Sequence, residues 1–220
     1  MKDTEQTLAE LVMAHPRAAR ILHGYHLNYC CGGQRSLSEA CAQKKIDAEV
    51  VLRDIEAAVF EPEDETFWDE RPMDELIQHI LDRYHTPLRS ELPRLLELAT
   101  KVERVHAQHA HCPQGLAALL MEARASIEMH LTKEEQILFP LIVTGRGAMA
   151  HMPVQVMMQE HDDHGQTLQR IRELTHDLNV PEKACTSWHE LYRALAEFEI
   201  ELMDHIHLEN NILFPRALAG

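Results

Sequence analysis

The first apolar positions of the chain, Leu8, Leu11, Val12, Ala18, Ile21 and Leu22, recur at helical intervals. They predict a helical face that Pro16 interrupts or restarts. A turn follows at Tyr29-Cys30-Cys31-Gly32-Gly33, and Ser36 then precedes Leu37 with Glu39 three residues after the serine, the pattern of a capping box. The stripe Val50, Val51, Ile55 and Val59 predicts another helix over about 46–59. Residues 1–60 therefore read as a small helical domain. Residues 61–72 are acidic, hold two prolines and lack helical period, which predicts a linker.

Residues 73–220 parse as four long helices. The first covers about 73–109, with Ile77, Leu81, Leu88, Leu92 and Leu96 facing a core and with Pro87 and Pro93 bending it. The second covers about 114–143, between Cys112-Pro113 and the glycines Gly145 and Gly147. The third covers about 153–178 and is broken by Asn179-Val-Pro181. The fourth begins at Thr186-Ser187, a good N-cap pair, and runs to about Ala217. Short connections between four helices predict an up-down-up-down bundle. No stretch shows sustained β-branched alternation, so the predicted fold class is all-α.

A net charge of −15 removes the basic surface that nucleic-acid binding needs. No apolar run reaches 18 residues and the N-terminus carries no signal-type segment, so a soluble, cytoplasmic protein without a membrane partner is expected. Five cysteines without regular spacing suit a reducing compartment. The outlier is histidine, with 16 in 220 residues.

Two of those histidines open near-copies of one phrase: His130-Leu-Thr-Lys-Glu134-Glu-Gln-Ile-Leu-Phe-Pro140 and His205-Ile-His-Leu-Glu209-Asn-Asn-Ile-Leu-Phe-Pro215. A four-residue step puts each His and its Glu on one helix face. The neighbours Ile127, Leu131, Ile137, Leu138 and Leu141, and Leu202, Ile212 and Leu213, place that face inward. A buried carboxylate costs on the order of several kcal/mol unless a cation or donor compensates it. A metal is the natural resolution. The Ile-Leu-Phe-Pro tails read as core and helix-end residues.

His85 continues the stripe of the first helix, and His161 follows Val154, Met157 and Met158 on the third. His106 lies 21 residues beyond His85, on nearly the same face but about 30 Å along the axis. A shared site therefore requires the chain to bend between the two, at Pro87 or Pro93. If both Glu bridge, they supply four bonds, five His supply five and an oxo or hydroxo bridge two. That fills eleven of the twelve positions of an octahedral pair and leaves one for a small molecule. Imidazole and carboxylate without thiolate favour iron over manganese or zinc.

Asp162, Asp163 and His164 are candidates to support His161, or simply a polar helix face. His207 should point away from His205, while His109, His111 and His151 should be solvated. Cys30 and Cys31 are either a redox- or nitrosation-sensitive thiol pair, a structural turn, or a metal-passing site. Cys41, Cys112 and Cys185 read as ordinary thiols.

The His-x-x-x-Glu repeats with their tails resemble the hemerythrin-like di-iron bundles. The Tyr29-Cys-Cys-Gly-Gly33 segment in a leading helical domain resembles the N-terminal domain of the RIC (repair of iron centres; YtfE/ScdA/DnrN) proteins. Tyr84-His85, Val102-Glu-Arg-Val-His106, Lys133 to Pro140, Met203-Asp-His205 and Leu208 to Leu218 follow the same family pattern, so the resemblance covers nearly the whole chain. It implies His85, His106, His130, His161 and His205 as terminal ligands of two non-haem irons, with Glu134 and Glu209 bridging. It also implies repair of iron–sulfur clusters damaged by nitric oxide or oxidants, with iron supplied from a labile site to transient recipient proteins. A nitric oxide or dioxygen sensor and a nitric oxide reductase are the alternatives, and a homodimer is compatible with all three. No catalytic residue is assigned.

Overall fold

The computed structural model describes residues 4–59 and 67–219. The expected linker lies outside the described residues over 61–66. Among the described residues the regular structure is helical, apart from one isolated bridge between Thr7 and Ser36. The chain divides into two compact units, one formed by Met1–Ile77 with Met203–Gly220 and the other by Gln78–Leu202.

In the first unit, α1 (Leu8–Ala14) and α2 (Ala18–Gly24) are separated around Pro16, and α3 (Leu37–Lys44) and α4 (Ala48–Val59) follow. The expected capping box at Ser36 and Glu39 is present, and Thr7 and Glu10 form a second one on α1. Each serves an orphan backbone N–H at a helix start. The two starts lie side by side, with Leu8 N donating to Arg35 O at 3.0 Å and Leu37 N to Gln6 O at 2.9 Å.

The Cys-Cys-Gly-Gly turn between α2 and α3 is closely built. Asn28 Oδ1 accepts from the backbone N–H of Cys31 at 3.1 Å and of Gly32 at 3.2 Å. At Gly33 a Cβ would stand 2.4 Å from the Tyr29 carbonyl oxygen and 3.0 Å from Ala9 Cβ, so glycine is there for space.

The same unit holds the C-terminal segment. Tyr29 donates its hydroxyl to Asp204 Oδ1 at 2.6 Å, and Asn211 Nδ2 donates to Cys30 O at 3.2 Å. His207 packs its ring edgewise on Tyr29, at 5.9 Å between centroids. It does point away from the side chain of His205, but into protein: it is buried. Burial pushes its pKa down to about 4, against a smaller opposing effect of the Tyr29 carbonyl.

The second unit contains most of the four-helix bundle. Its helices are the end of α5 (Met73–Ile80) with α6 (Thr86–Val105), α7 (Leu116–Lys133) with α8 (Phe139–Val143), α9 (His151–Leu174), and most of α10 (Thr186–Leu208); α11 (Phe214–Ala219) belongs to the first unit. Within Gln78–Leu202, α6 packs on α7 and α7 on α9. Arg172 Nε reaches Glu199 at 2.7 Å to join α9 to α10, and Arg94 reaches Glu190 at 2.8 Å to join α10 to α6. The more exposed Arg94–Glu190 pair identifies neighbours more than it holds them, since exposed ion pairs contribute about 0–1 kcal/mol, while Arg172–Glu199 is half-buried. The buried Leu92, Leu95, Leu120, Ile127, Leu168, Leu191 and Phe198 form the core of the unit.

Three of the long helices carry a wide π turn: Leu81–His85, Glu134–Leu138 and Glu209–Leu213. In each, the next residue bonds five positions back: Thr86 to Leu81, Phe139 to Glu134, Phe214 to Glu209. In each, a proline comes directly after: Pro87, Pro140, Pro215. A proline ring collides with the carbonyl four residues back and offers no N–H. Widening the preceding turn relieves both problems and leaves the proline in the first turn of the next α segment.

The Ile-Leu-Phe-Pro tails therefore join each π turn to the α segment that continues the helix, and are not helix ends. The extra residue also rotates the face that follows. Ile137, expected inside, is 53% exposed and Leu141 is half-buried, whereas Leu138, Phe139 and Ile142 are buried. On the first helix Leu81 and Leu96 are likewise half-buried, and Tyr84, Leu88, Leu92 and Leu95 face inward. The third helix stops at Leu174, short of the expected 178, because His176, Asp177 and Leu178 take left-handed φ values of 50°, 59° and 58°. No helix among the described residues is long and apolar enough to cross a membrane.

Two outcomes are expected. Gly33→Ala should lower stability by about 1–3 kcal/mol, the usual cost of overpacking, measured by urea unfolding. His207 has a folded pKa below its unfolded value, so its contribution is full above about pH 6.5 and is lost as pH falls toward 4. Between pH 7.5 and 4.5, His207→Gln should therefore lose about 2 kcal/mol less stability than the parent.

Candidate metal centre

The π turns and the turns beside them present the chain's buried histidines and glutamates. In the second unit, His85 closes the first π turn, Glu134 opens the second, His130 sits one helical turn earlier on α7, and His161 lies mid-way along α9. All four are buried, and Glu134 has 0% exposure. His85 Nε2 lies 3.5 Å and His130 Nε2 3.4 Å from the same oxygen, Glu134 Oε2. His161 Nε2 faces His130 Nε2 at 3.0 Å. The ligand atoms of His130, Glu134 and His161 all lie within 4.8 Å of one another. In the first unit, His205 Nε2 lies 3.0 Å from Glu209 Oε1, and both residues are buried.

These spacings fit a metal. Donors bonded to one ion at about 2.0–2.2 Å are themselves roughly 3–3.5 Å apart. Two imidazole Nε2 atoms at 3.0 Å present lone pairs to each other unless a proton or a cation stands between them. All the donors are nitrogen or carboxylate oxygen, the set that suits iron, manganese or zinc.

The far nitrogens of two imidazoles are held by carboxylates that the motif spacing did not reveal. His85 Nδ1 bonds Glu135 Oε1 at 2.9 Å, and Arg89 donates to the same oxygen at 2.8 Å. His130 Nδ1 bonds Glu160 Oε2 at 2.9 Å, and Lys133 donates to the other oxygen of Glu160. Burial opposes ionisation of Glu135, but the hydrogen bonds from Arg89 and His85 outweigh it and hold its carboxyl below the usual range. An ionised carboxylate on Nδ1 fixes the tautomer whose Nε2 lone pair points inward. Each of these glutamates is the immediate neighbour of a ligand candidate, Glu134 or His161, a relation that a search at three- and four-residue steps passes over.

Asp162 and Asp163 are exposed, so the polar-face reading holds for them. His164 is buried with its ring 5.0 Å from that of His130. His109, His111 and His151 are exposed, as expected.

His106 is not brought to the cluster. The helix is continuous from Met73 to Val105, neither proline breaks it, and His106 stands at its C-terminal cap. Neither proline opens the helix: Pro87 is accommodated by the π turn, and α6 runs on through Pro93. The His106 ring instead packs on Trp188, at 4.8 Å between centroids.

The Sγ atoms of Cys30 and Cys31 lie 3.8 Å apart, with Cys30 buried and Cys31 half-buried. Cys30 donates to Asn28 Oδ1 at 3.2 Å.

Glu135→Gln and Glu160→Gln should each weaken metal binding about 10–100-fold by loosening a histidine's orientation. Competition against a chelator of known affinity measures this, with the far-ultraviolet circular dichroism expected to stay unchanged.

Comparison with known proteins gives matches along both parts of the chain. Residues 76–217 match the profile of the Hemerythrin HHE cation binding domain, and residues 4–59 match the ScdA_N domain, a domain of unknown function. An iron-sulfur cluster repair protein YtfE from Pectobacterium carotovorum subsp. carotovorum is 44% identical over 216 residues, 98% of each chain. The protein of that name from Escherichia coli O8 is 45% identical over 216 residues, again 98% of each chain. The one from Citrobacter koseri is 44% identical over 220 residues, the full length of both.

Proposed function

This chain belongs to the family of the iron-sulfur cluster repair proteins named YtfE, and we propose that it holds two iron ions and supplies iron to damaged iron–sulfur clusters. The observation that carries the reading is Glu134, a carboxylate with no exposed surface and two imidazoles within 3.5 Å of one oxygen. In this reading His85, His130, His161 and His205 are terminal ligands, and Glu134 and Glu209 bridge.

Without His106 the bond count changes. Four imidazoles, two bridging carboxylates and one oxo or hydroxo bridge fill ten of the twelve positions of an octahedral pair, which leaves two rather than one. The irons would supply those positions to small ligands such as nitric oxide or dioxygen.

The protein's own groups do the rest. Glu135 and Glu160 accept from Nδ1 of His85 and His130, so that Nε2 is the nitrogen aimed at the site. The buried leucine, isoleucine and phenylalanine side chains keep water from competing with the donors. Every ligand must be a neutral imidazole or an ionised carboxylate, so protonation of the donors releases the cargo. Transient recipients are iron–sulfur proteins, and the site of action is cytoplasmic. Cys30 and Cys31, which are not bonded to each other, form a thiol pair open to oxidation or nitrosation in the same stress.

Protein purified without chelator should contain two irons per chain. Glu134→Ala and Glu209→Ala should each lose most of it, while His106→Gln should keep both. Incubation with an apo iron–sulfur protein should move iron to that protein and restore its cluster absorbance. Iron near zero in the parent would end the proposal, and full retention of iron at pH 4 would contradict a labile store.

A further inference from the structure

The end of the bundle away from His85 carries a second group of reactive side chains that the metal centre does not use. His106 caps α6, and its Nε2 stands 3.1 Å from Sγ of Cys185. The Cys185 carbonyl accepts the N–H groups of Trp188 at 2.9 Å and His189 at 3.2 Å, so the residue sits at the N-terminal cap of the 23-residue helix α10. There the helix dipole favours negative charge. The imidazole packs at a tilt against Trp188, which is fully buried, and His109 packs on the same indole from 5.3 Å. Cys185 itself is half-buried and is not in a disulfide.

A thiol, a base at hydrogen-bond distance, a wall that orients the base and a helix N-terminus together make an activated nucleophile. Cys112 and Cys41 lack this combination. Cys112 is pushed up by burial and then by Glu103, and its Sγ points to the Glu103 carbonyl at 3.9 Å. Cys41 is buried and pushed up by burial and then by Asp47.

We propose that Cys185 is a nucleophilic thiol, deprotonated by His106, that small-molecule disulfides modify. The Sγ proton passes to His106 Nε2 as the sulfur attacks one sulfur of the disulfide. The old S–S bond breaks as the new one forms, and the leaving thiolate takes the proton back from the imidazolium. Two electrons move between sulfurs, and no further oxidant is needed. His106, which the family pattern suggested as an iron ligand, has in this account a thiol as its partner.

The test uses the full-length, iron-loaded protein and glutathione disulfide at pH 7, with the mixed disulfide at each cysteine followed by peptide mass spectrometry. Cys185 should react at least tenfold faster than Cys112. His106→Gln should remove that advantage, and His109→Gln should keep it. Equal rates at Cys185 and Cys112 in the parent, or an undiminished rate in His106→Gln, would overturn the proposal. If His106→Gln loses its helical circular dichroism, the comparison within the parent decides the matter alone.

Discussion

Glu134 has no exposed surface in a bundle whose neighbouring positions are leucine, isoleucine and phenylalanine. Leaving an ionised carboxylate there without a positive partner would cost several kcal/mol on the order of the whole stability margin of a domain. The structure answers with layers of alternating character. His85 and His130 face the carboxylate, Glu135 and Glu160 hold the far sides of those rings, and Arg89 and Lys133 hold the outer carboxylates. Positive charge is thus provided at the rim, and the Nε2 atoms of His85 and His130 are turned toward the central carboxylate. That is the arrangement a cation requires, and it explains why a single buried glutamate needs so many polar companions.

The same residue depends on a backbone irregularity. Glu134 and Glu209 each open a π turn, and His85 closes one. Each turn is compelled locally by the proline two residues after its end, whose ring does not fit an unbroken α turn. The repeated phrase therefore encodes two things at once: donors on one helix face, and a one-residue insertion that rotates the apolar face beyond them. Phe139 and Ile142 become core residues by that rotation, while Ile137 turns to solvent.

Much of this was legible in the residues. Apolar positions at three- and four-residue steps located the helices, and Ser36 with Glu39 marked the start of α3. The repeated His/Glu phrase marked buried donors because charge inside an apolar stripe is conspicuous. What escaped was whatever breaks the assumption of a uniform helix. A period of 3.6 contains no sign of an inserted residue, so it places Ile137 inward where the structure exposes it, and Leu141 and Leu96 deeper than the half-burial they reach. The proline after each turn is the one available signal. His106 matched a family pattern, yet its distance from His85 along an unbroken helix was already the stronger physical argument. Glu135 and Glu160 escaped because they act through the far nitrogen of a histidine on another helix, which no spacing within one helix can show. His207 was rightly turned away from His205, but its burial against Tyr29 comes from a contact between segments 178 residues apart.

The central claim is that Glu134 and Glu209 lie between two metal ions. Anomalous diffraction from crystals of the iron-loaded protein, collected across the iron absorption edge, tests it most directly. Two iron peaks are expected, both in contact with Glu134 and Glu209 and neither near His106. A single peak, or iron bound at His106, would contradict it.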